Sequence, residues 1–302
     1  MQEILIKAAC YVGVIALGYV LRKVGVFGPE TFGVLSKVVM KLTLPCAIIA
    51  SSAGKAIDIS MLLIVLLGLG GGVLYMCLGS LLHKRRGKQE QAFALLNTAG
   101  YNIGTFAMPF TQSFLGGIGA ITTSLFDMGN AFVVLGGAYG VAANVKDGKG
   151  FDGKRVLKSL CASVPLIAHL IMVVLNLFAL PLPAPILSFA QIVASGNAFL
   201  AMLMIGVGFR FSGEKRQIGA MIRILGVRYG VAILLALVFY FLLPFELEVR
   251  QALTILVFSP IGSAVPIFTA ELKEDVGLSS AINSASILIS TVIIVALLVI
   301  LL

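Results

Sequence analysis

Long apolar runs broken by short polar ones recur from one end of this chain to the other. About 20 apolar residues in helical form cross a hydrocarbon layer of roughly 30 Å. Ten runs meet that need, near residues 4–21, 33–53, 58–82, 92–114, 118–142, 157–180, 186–208, 219–243, 251–270 and 279–302. The pattern predicts an all-α membrane protein of ten transmembrane helices in a single transmembrane domain, 1–302. No polar tract is long enough for a separate domain outside the membrane. The longest linker, Asn144 to Lys154, is rich in Gly and Lys and joins halves of similar size, 1–143 and 155–302. Nothing resembling a cleavable leader precedes the first run, so Ile4 to Leu21 is read as a retained span.

The halves share a pattern. At an offset of 160 residues, Gln91-Ala92-Phe93-Ala94-Leu95-Leu96 faces Gln251-Ala252-Leu253-Thr254-Ile255-Leu256, and each run leads into a span interrupted by Pro and Gly. Five spans is an odd number, so the second copy enters the membrane upside down, giving a 5+5 inverted repeat. Such repeats are characteristic of secondary transporters, whose two exchanging states follow from the pseudo-symmetry.

Composition agrees with the pattern: 59% of the 302 residues are hydrophobic and 12% charged, against about 45–50% and about 25% in soluble domains. Mean hydropathy is +1.07. The net charge of +9 could suit nucleic acid, but the basic residues sit in short clusters between apolar runs, which marks them as topology signals and argues against a nucleic-acid partner. Loops after odd-numbered spans hold Arg22 and Lys23; Lys84, Arg85, Arg86 and Lys88; Lys146, Lys149, Lys154, Arg155 and Lys158; Arg210, Lys215, Arg216 and Arg223; and Lys273. The other side holds Lys7, Lys55 and Arg250. Cytoplasmic loops retain Lys and Arg, so both termini are expected outside the cytoplasmic membrane. Cys10, Cys46, Cys77 and Cys161 lie singly in apolar runs and read as small packing residues.

The fourth span contains NTAGYNIGTFAMPF, Asn97 to Phe110, and the ninth SPIGSAVPIF, Ser259 to Phe268. Proline removes a backbone donor and glycine loosens the helix, so each is a candidate unwound segment whose freed polar groups need partners. Substrate or ion is one such partner, with Asn97, Asn102, Ser259 and Ser263 adding side-chain groups. Two proline kinks with glycines for close packing are the plainer alternative. Asp127 is the one acid deep within a predicted span, ~14 Å from its start, and forms a polar stripe with Thr123 and Asn130. It reads either as an ion-coupling carboxylate or as a structural one satisfied by a neighbouring helix.

Lys41, four residues before Pro45, either attracts an anionic substrate or reaches for the interface; Lys37 and Arg228 read as interfacial. His169 reads as a satisfied packing residue, and no second span histidine supports a metal site. Ser279, Asn283, Ser286 and Ser290 form a stripe suited to sealing an interhelical face, and Gly68 to Gly72 a packing surface.

The run Lys41-Leu42-Thr43-Leu44-Pro45 in the second span, Asn97 to Pro109 in the fourth and Ser259-Pro260 through Pro266 in the ninth resemble the auxin efflux carrier family, which includes bacterial carboxylate permeases and plant PIN carriers. The resemblance covers essentially the whole chain. It implies an elevator in which spans 1, 2, 6 and 7 form a scaffold able to dimerise, while spans 3–5 and 8–10 move and spans 4 and 9 cross at their proline breaks. The related bile-acid symporter family places its termini inside and matches less well. Unlike the plant carriers, this chain has no long hydrophilic loop between spans 5 and 6 and no acid well inside span 3, where Asp58 lies only at the edge. Plant-like auxin recognition and a span-3 proton site therefore do not carry over, and Asp127 stands in as the coupling candidate.

The resulting expectation is a secondary transporter of a small organic anion, such as malate or malonate. Its substrate-binding residues are Asn97, Asn102, Gly104, Pro109, Ser259, Pro260, Ser263, Pro266, Lys41 and Pro45. Asp127 and Asn130 serve ion coupling to H⁺ or Na⁺; no metal or organic cofactor is expected. The alternatives are a sodium-coupled carrier like the bile-acid symporters and a membrane ligand sensor. An intramembrane enzyme would need His, Asp or Glu clustered across spans, which the sequence lacks.

Overall fold

The computed structural model describes residues 2–55, 59–148, 150–209 and 217–302. Asp58, Lys149, Arg210, Lys215 and Arg216, named above, fall outside them. The described residues are helical, without strands. In chain order the helices are α1 (Gln2–Lys23), α2 (Thr31–Val38), α3 (Leu44–Ser52), α4 (Leu63–His83), α5 (Lys88–Thr98), α6 (Met108–Phe132), α7 (Ala138–Asp147), α8 (Gly153–Cys161), α9 (Val164–Leu177), α10 (Ala184–Ala194), α11 (Asn197–Gly208), α12 (Ile218–Phe241), α13 (Leu247–Leu256), α14 (Val265–Glu271) and α15 (Val276–Leu301).

Among the described residues, seven helical segments are long and apolar enough to cross a membrane, and an eighth forms if α8 and α9, bent by 71°, count as one. The bend falls where the Ser163 hydroxyl caps α9 and Pro165 occupies its first turn, positions that need no preceding helical N–H. One segment, Lys88–Asp147, has 60 residues. As a straight helix it would measure about 90 Å, three times the hydrocarbon thickness. It turns instead, first at the non-helical Ala99 to Asn102 and again at Gly116, whose φ of 58° and ψ of −139° leave the helical region. Gly116 lies between residues 114 and 118, where the hydrophobic pattern divides its fourth and fifth runs. The expected ninth run, 251–270, is the pair of short helices α13 and α14, separated by non-helical chain.

Close packing depends on glycine pairs. α4 lies on α6 and α1 on α11. A Cβ on Gly68 would land on the Phe126 carbonyl, and one on Gly129 on the Val65 carbonyl and 2.7 Å from the Leu69 nitrogen. At the other contact Gly18 meets Leu203 and Gly206 meets Ile15 in the same way. Small residues let helix backbones approach where lipid supplies no hydrophobic drive for association. Large apolar side chains meanwhile face outward, such as Ile192 at 74% and Phe241 at 67% exposure, a surface suited to hydrocarbon and costly in water. Cys10, Cys77 and Cys161 share that outward placement and only Cys46 is partly covered, which corrects their reading as packing residues.

Acidic residues tie several basic loops together. Arg223 and Arg86 pair with Glu90, Arg155 with Glu271, and Lys146 with Glu274 at 2.5 Å, so several basic loops expected on one side do meet there. Lys7 donates to the Ser113 carbonyl, and Lys55 lies beside Gly117, which brings two of the three opposite-side lysines and arginines to the turn around Gly116.

Candidate functional site

α5 stops at Thr98 because Ala99 turns extended and Gly100 takes a left-handed φ of 68°, a conformation open to glycine without penalty. The helix resumes at Ile103 as a wide turn, Ile103–Ala107, that continues into α6. In the second half α13 ends at Leu256 and α14 begins at Val265. Pro266 sits in the first turn of α14, where a missing N–H costs nothing, whereas Pro109 follows the wide turn Ile103–Ala107 inside the resumed helix. Pro266 is thus a helix starter, while Pro109 keeps the kink expected of a proline within a helix. The two gaps touch: the Asn102 N–H donates to the Pro260 carbonyl at 2.8 Å.

Unwinding frees backbone groups in a buried place, and each freed group needs a partner. Asn130 of α6 holds Tyr101 from both sides, its Oδ1 accepting from the Tyr101 N–H and its Nδ2 donating to the Tyr101 carbonyl, each at 2.9 Å. Ile261, 160 positions after Tyr101, is held likewise by α15: its N–H donates to Ser286 Oγ at 3.1 Å and its carbonyl accepts from Asn283 at 3.2 Å. Ser290 of the same stripe bonds the Tyr229 hydroxyl, so the stripe seals the second gap to its neighbours.

Arg228 of α12 does the largest share. It is 1% exposed, and its guanidinium donates to Thr98 and Gly100 carbonyls at 2.8 Å each and to Ser259 and Pro260 carbonyls at 2.7 and 3.0 Å. It thus binds both gaps at once. The rings of Tyr75 and Tyr101 lie 4.9 and 5.4 Å from its Cζ. The interfacial reading of Arg228 is corrected, and a signal was available: it lies ten residues into α12, ~15 Å deep, the depth argument that singled out Asp127.

Beside the crossing is a cavity of about 100 Å³, roomy enough for several waters. Asn102, Gly104, Asp127, Asn130, Ser263 and His169 line it, with Met40, Leu44 and Leu166 on its apolar side. Asp127 Oδ1 accepts from Asn130 Nδ2 at 3.0 Å, and Oδ2 lies 3.8 Å from His169 Nε2. His169 is 2% exposed, neither ring nitrogen has a hydrogen-bond partner, and the ring also borders a smaller cavity lined by Ser124 and Asn176. Its reading as a satisfied packing residue is therefore corrected. No sequence spacing marked it, because Asp127 is 42 residues away on another helix.

Of the residues expected to bind substrate or ion, Asn102, Gly104, Ser263, Asp127 and Asn130 line the cavity. Ser259 and Pro260 belong to the crossing just described. Asn97 lies elsewhere, donating to the Phe93 carbonyl and Thr269 and accepting from Ser279. Pro45 and Pro109 are buried just after the wide helical turns Val39–Thr43 and Ile103–Ala107, Pro266 is partly covered, and Lys41 is exposed; none of the four borders the cavity. Thr123 bonds Thr111 and the Gly119 carbonyl instead of extending the Asp127 stripe.

Residues 5–145, which include Asn102, Gly104, Asp127 and Asn130, match the family model described as membrane transport protein. A protein of Methanothermobacter thermautotrophicus described as an uncharacterized transporter is 26% identical over 288 residues, 92% of each chain. Over residues 5–145 and the broken helix they contain, this chain is similar to the membrane transport protein family.

Proposed function

We propose that this membrane transporter is a secondary carrier of a small organic anion, with the cavity at the crossing as its binding site and Asp127 as its coupling group. The observation that carries this reading is a largely apolar cavity, formed where two interrupted helices meet, with a few polar groups and one carboxylate in its wall. Helices that resume at Ile103 and Val265 contribute partial positive charge at their starts, while Arg228 offsets the negative ends of α5 and α13. A carboxylate substrate beside ionised Asp127 would be repelled strongly at low dielectric. Binding becomes favourable when Asp127 holds a proton or a cation, and that requirement ties substrate to ion.

The chain is read as ten spans in a 5+5 inverted repeat working as an elevator in the cytoplasmic membrane. In support, α1 packs on α11 and α3 on α9 and α10, whereas α4 packs on α5 and α6, α12 on α13, and α14 on α15. The first set is the scaffold, whose outward Ile186, Phe189 and Ile192 on α10 offer a surface to a second copy or to lipid. The Asp127–His169 contact joins the mobile α6 to the scaffold α9, so movement of one body along the other changes the surroundings of the coupling carboxylate.

The test is thermal unfolding of the purified protein against carboxylates, indole acids and amino acids, because a ligand bound only by the folded state raises the melting temperature. A carboxylate is expected to stabilise, and Asn102→Ala and Ser263→Ala to weaken that effect about tenfold in concentration, as expected for loss of ~1.4 kcal/mol of polar contact. Ser263→Ala should leave the unliganded melt unaltered, while Asn102→Ala lowers it by freeing the Thr105 hydroxyl that Asn102 Oδ1 accepts from. Stabilisation by amino acids alone would sink the anion assignment. For orientation, cysteines placed at Arg86 and Lys154 should react with impermeant thiol reagents only from the cytoplasmic side; labelling from outside would reverse the topology.

A further inference from the structure

We propose that Arg228 is a resident cation occupying a carbonyl site that would otherwise take up a dehydrated monovalent metal ion, so that the crossing needs no sodium to hold together. Four carbonyls converge on one guanidinium, two from the end of α5 and two from the end of α13. Carbonyls at unwound segments and at the negative ends of half-helices are the groups with which secondary transporters coordinate Na⁺. Here the charge is covalently attached. No acid among the described residues pairs with Arg228, so the carbonyls and the two tyrosine faces are its counter-charge.

A guanidinium suits the task, since its planar fork distributes donors to both gaps at once, whereas an ammonium acts as a point charge. The Tyr75 hydroxyl donates to the Arg228 carbonyl at 3.1 Å and its ring faces the guanidinium, so α4 holds the arginine in register. The inference rests on the crossing alone and is independent of the substrate class. Its test uses no substrate, so failure of the anion assignment leaves it standing and the reverse also holds.

The experiment is thermal unfolding of the full chain in detergent, in chloride salts of sodium, potassium, choline or methylguanidinium at equal ionic strength. All variants carry Asp127→Asn, which removes the coupling carboxylate as a sodium site, and with Arg228 intact this background should melt at one temperature in sodium and choline. Arg228→Ala should melt roughly 10 °C lower in choline, from the cost of removing one partner of a buried charged cluster, and recover at least half of that loss in methylguanidinium or sodium. An alanine variant that melts alike in all four salts would overturn the proposal, as would an Asp127→Asn protein with Arg228 intact that sodium stabilises over choline. If the alanine variant does not fold, Arg228→Lys and Arg228→Gln decide. Lysine keeps a cation and should melt higher than glutamine and be indifferent to sodium; a glutamine variant as stable as the lysine one would show that charge is not what the carbonyls require.

Discussion

Asp127→Asn is expected to abolish gradient-driven accumulation of the carboxylate identified by thermal shift while leaving counterflow exchange near the parent rate. The asparagine keeps the shape and an oxygen able to accept from Asn130 Nδ2, the bond now made at 3.0 Å, and loses only the titratable charge. With one proton carried per substrate, a gradient of one pH unit supports roughly tenfold accumulation. The variant should fall to no accumulation in proteoliposomes under an imposed proton or sodium gradient. Exchange persists because binding and the conformational change do not require the ion to be transported. Accumulation equal to the parent's would make Asp127 structural and move coupling to another group or to the substrate's own carboxylate. The contact of Asp127 with His169, 3.8 Å away on α9, names the first group to examine in that event.

The second large effect is structural. Gly129→Ala should lower the melting temperature by about 6–12 °C, whereas Gly70→Ala on the facing helix should leave it unchanged or raise it slightly. The alanine Cβ at position 129 would overlap the Val65 carbonyl and come 2.7 Å from the Leu69 nitrogen, both backbone atoms of α4 that cannot rotate away. The helices would have to separate, at a cost at or above the ~3 kcal/mol upper range for overpacking. At Gly70 nothing lies within 4 Å of the added carbon, and alanine gains ~0.5–1 kcal/mol over glycine in a helix. Equal melting of the two variants would mean that α4 and α6 are not in backbone contact. Because α6 carries Asp127 and Asn130, a shift of that contact would also reach the cavity.

Local physics made much of this protein legible from its residues. Apolar runs long enough to cross hydrocarbon, the basic loops gathered at one end, and interruptions near Gly100 and Pro260 all follow from side chains within a few positions of the feature. Asp127 was found because a carboxylate deep in an apolar run is costly wherever its helix packs. Asn102 and Ser263 were found because unwound chain needs polar partners.

The rest depended on how helices rotate and cross. Asn97 has the same chemistry as Asn102 and lies five residues earlier, yet it turns toward Thr269 and Ser279, because its place on α5 faces α14 and α15 and not the cavity. His169 meets Asp127 only when α9 is laid against α6. The depth of Arg228 in α12 marks it as buried, but its partners, the four carbonyls of Thr98, Gly100, Ser259 and Pro260, come together only after two distant gaps have been brought to one point. Hydrophobic length and charge count are sums along a chain and survive any packing. The partner of a buried polar group is a fact about three-dimensional proximity, and no sum along the chain contains it.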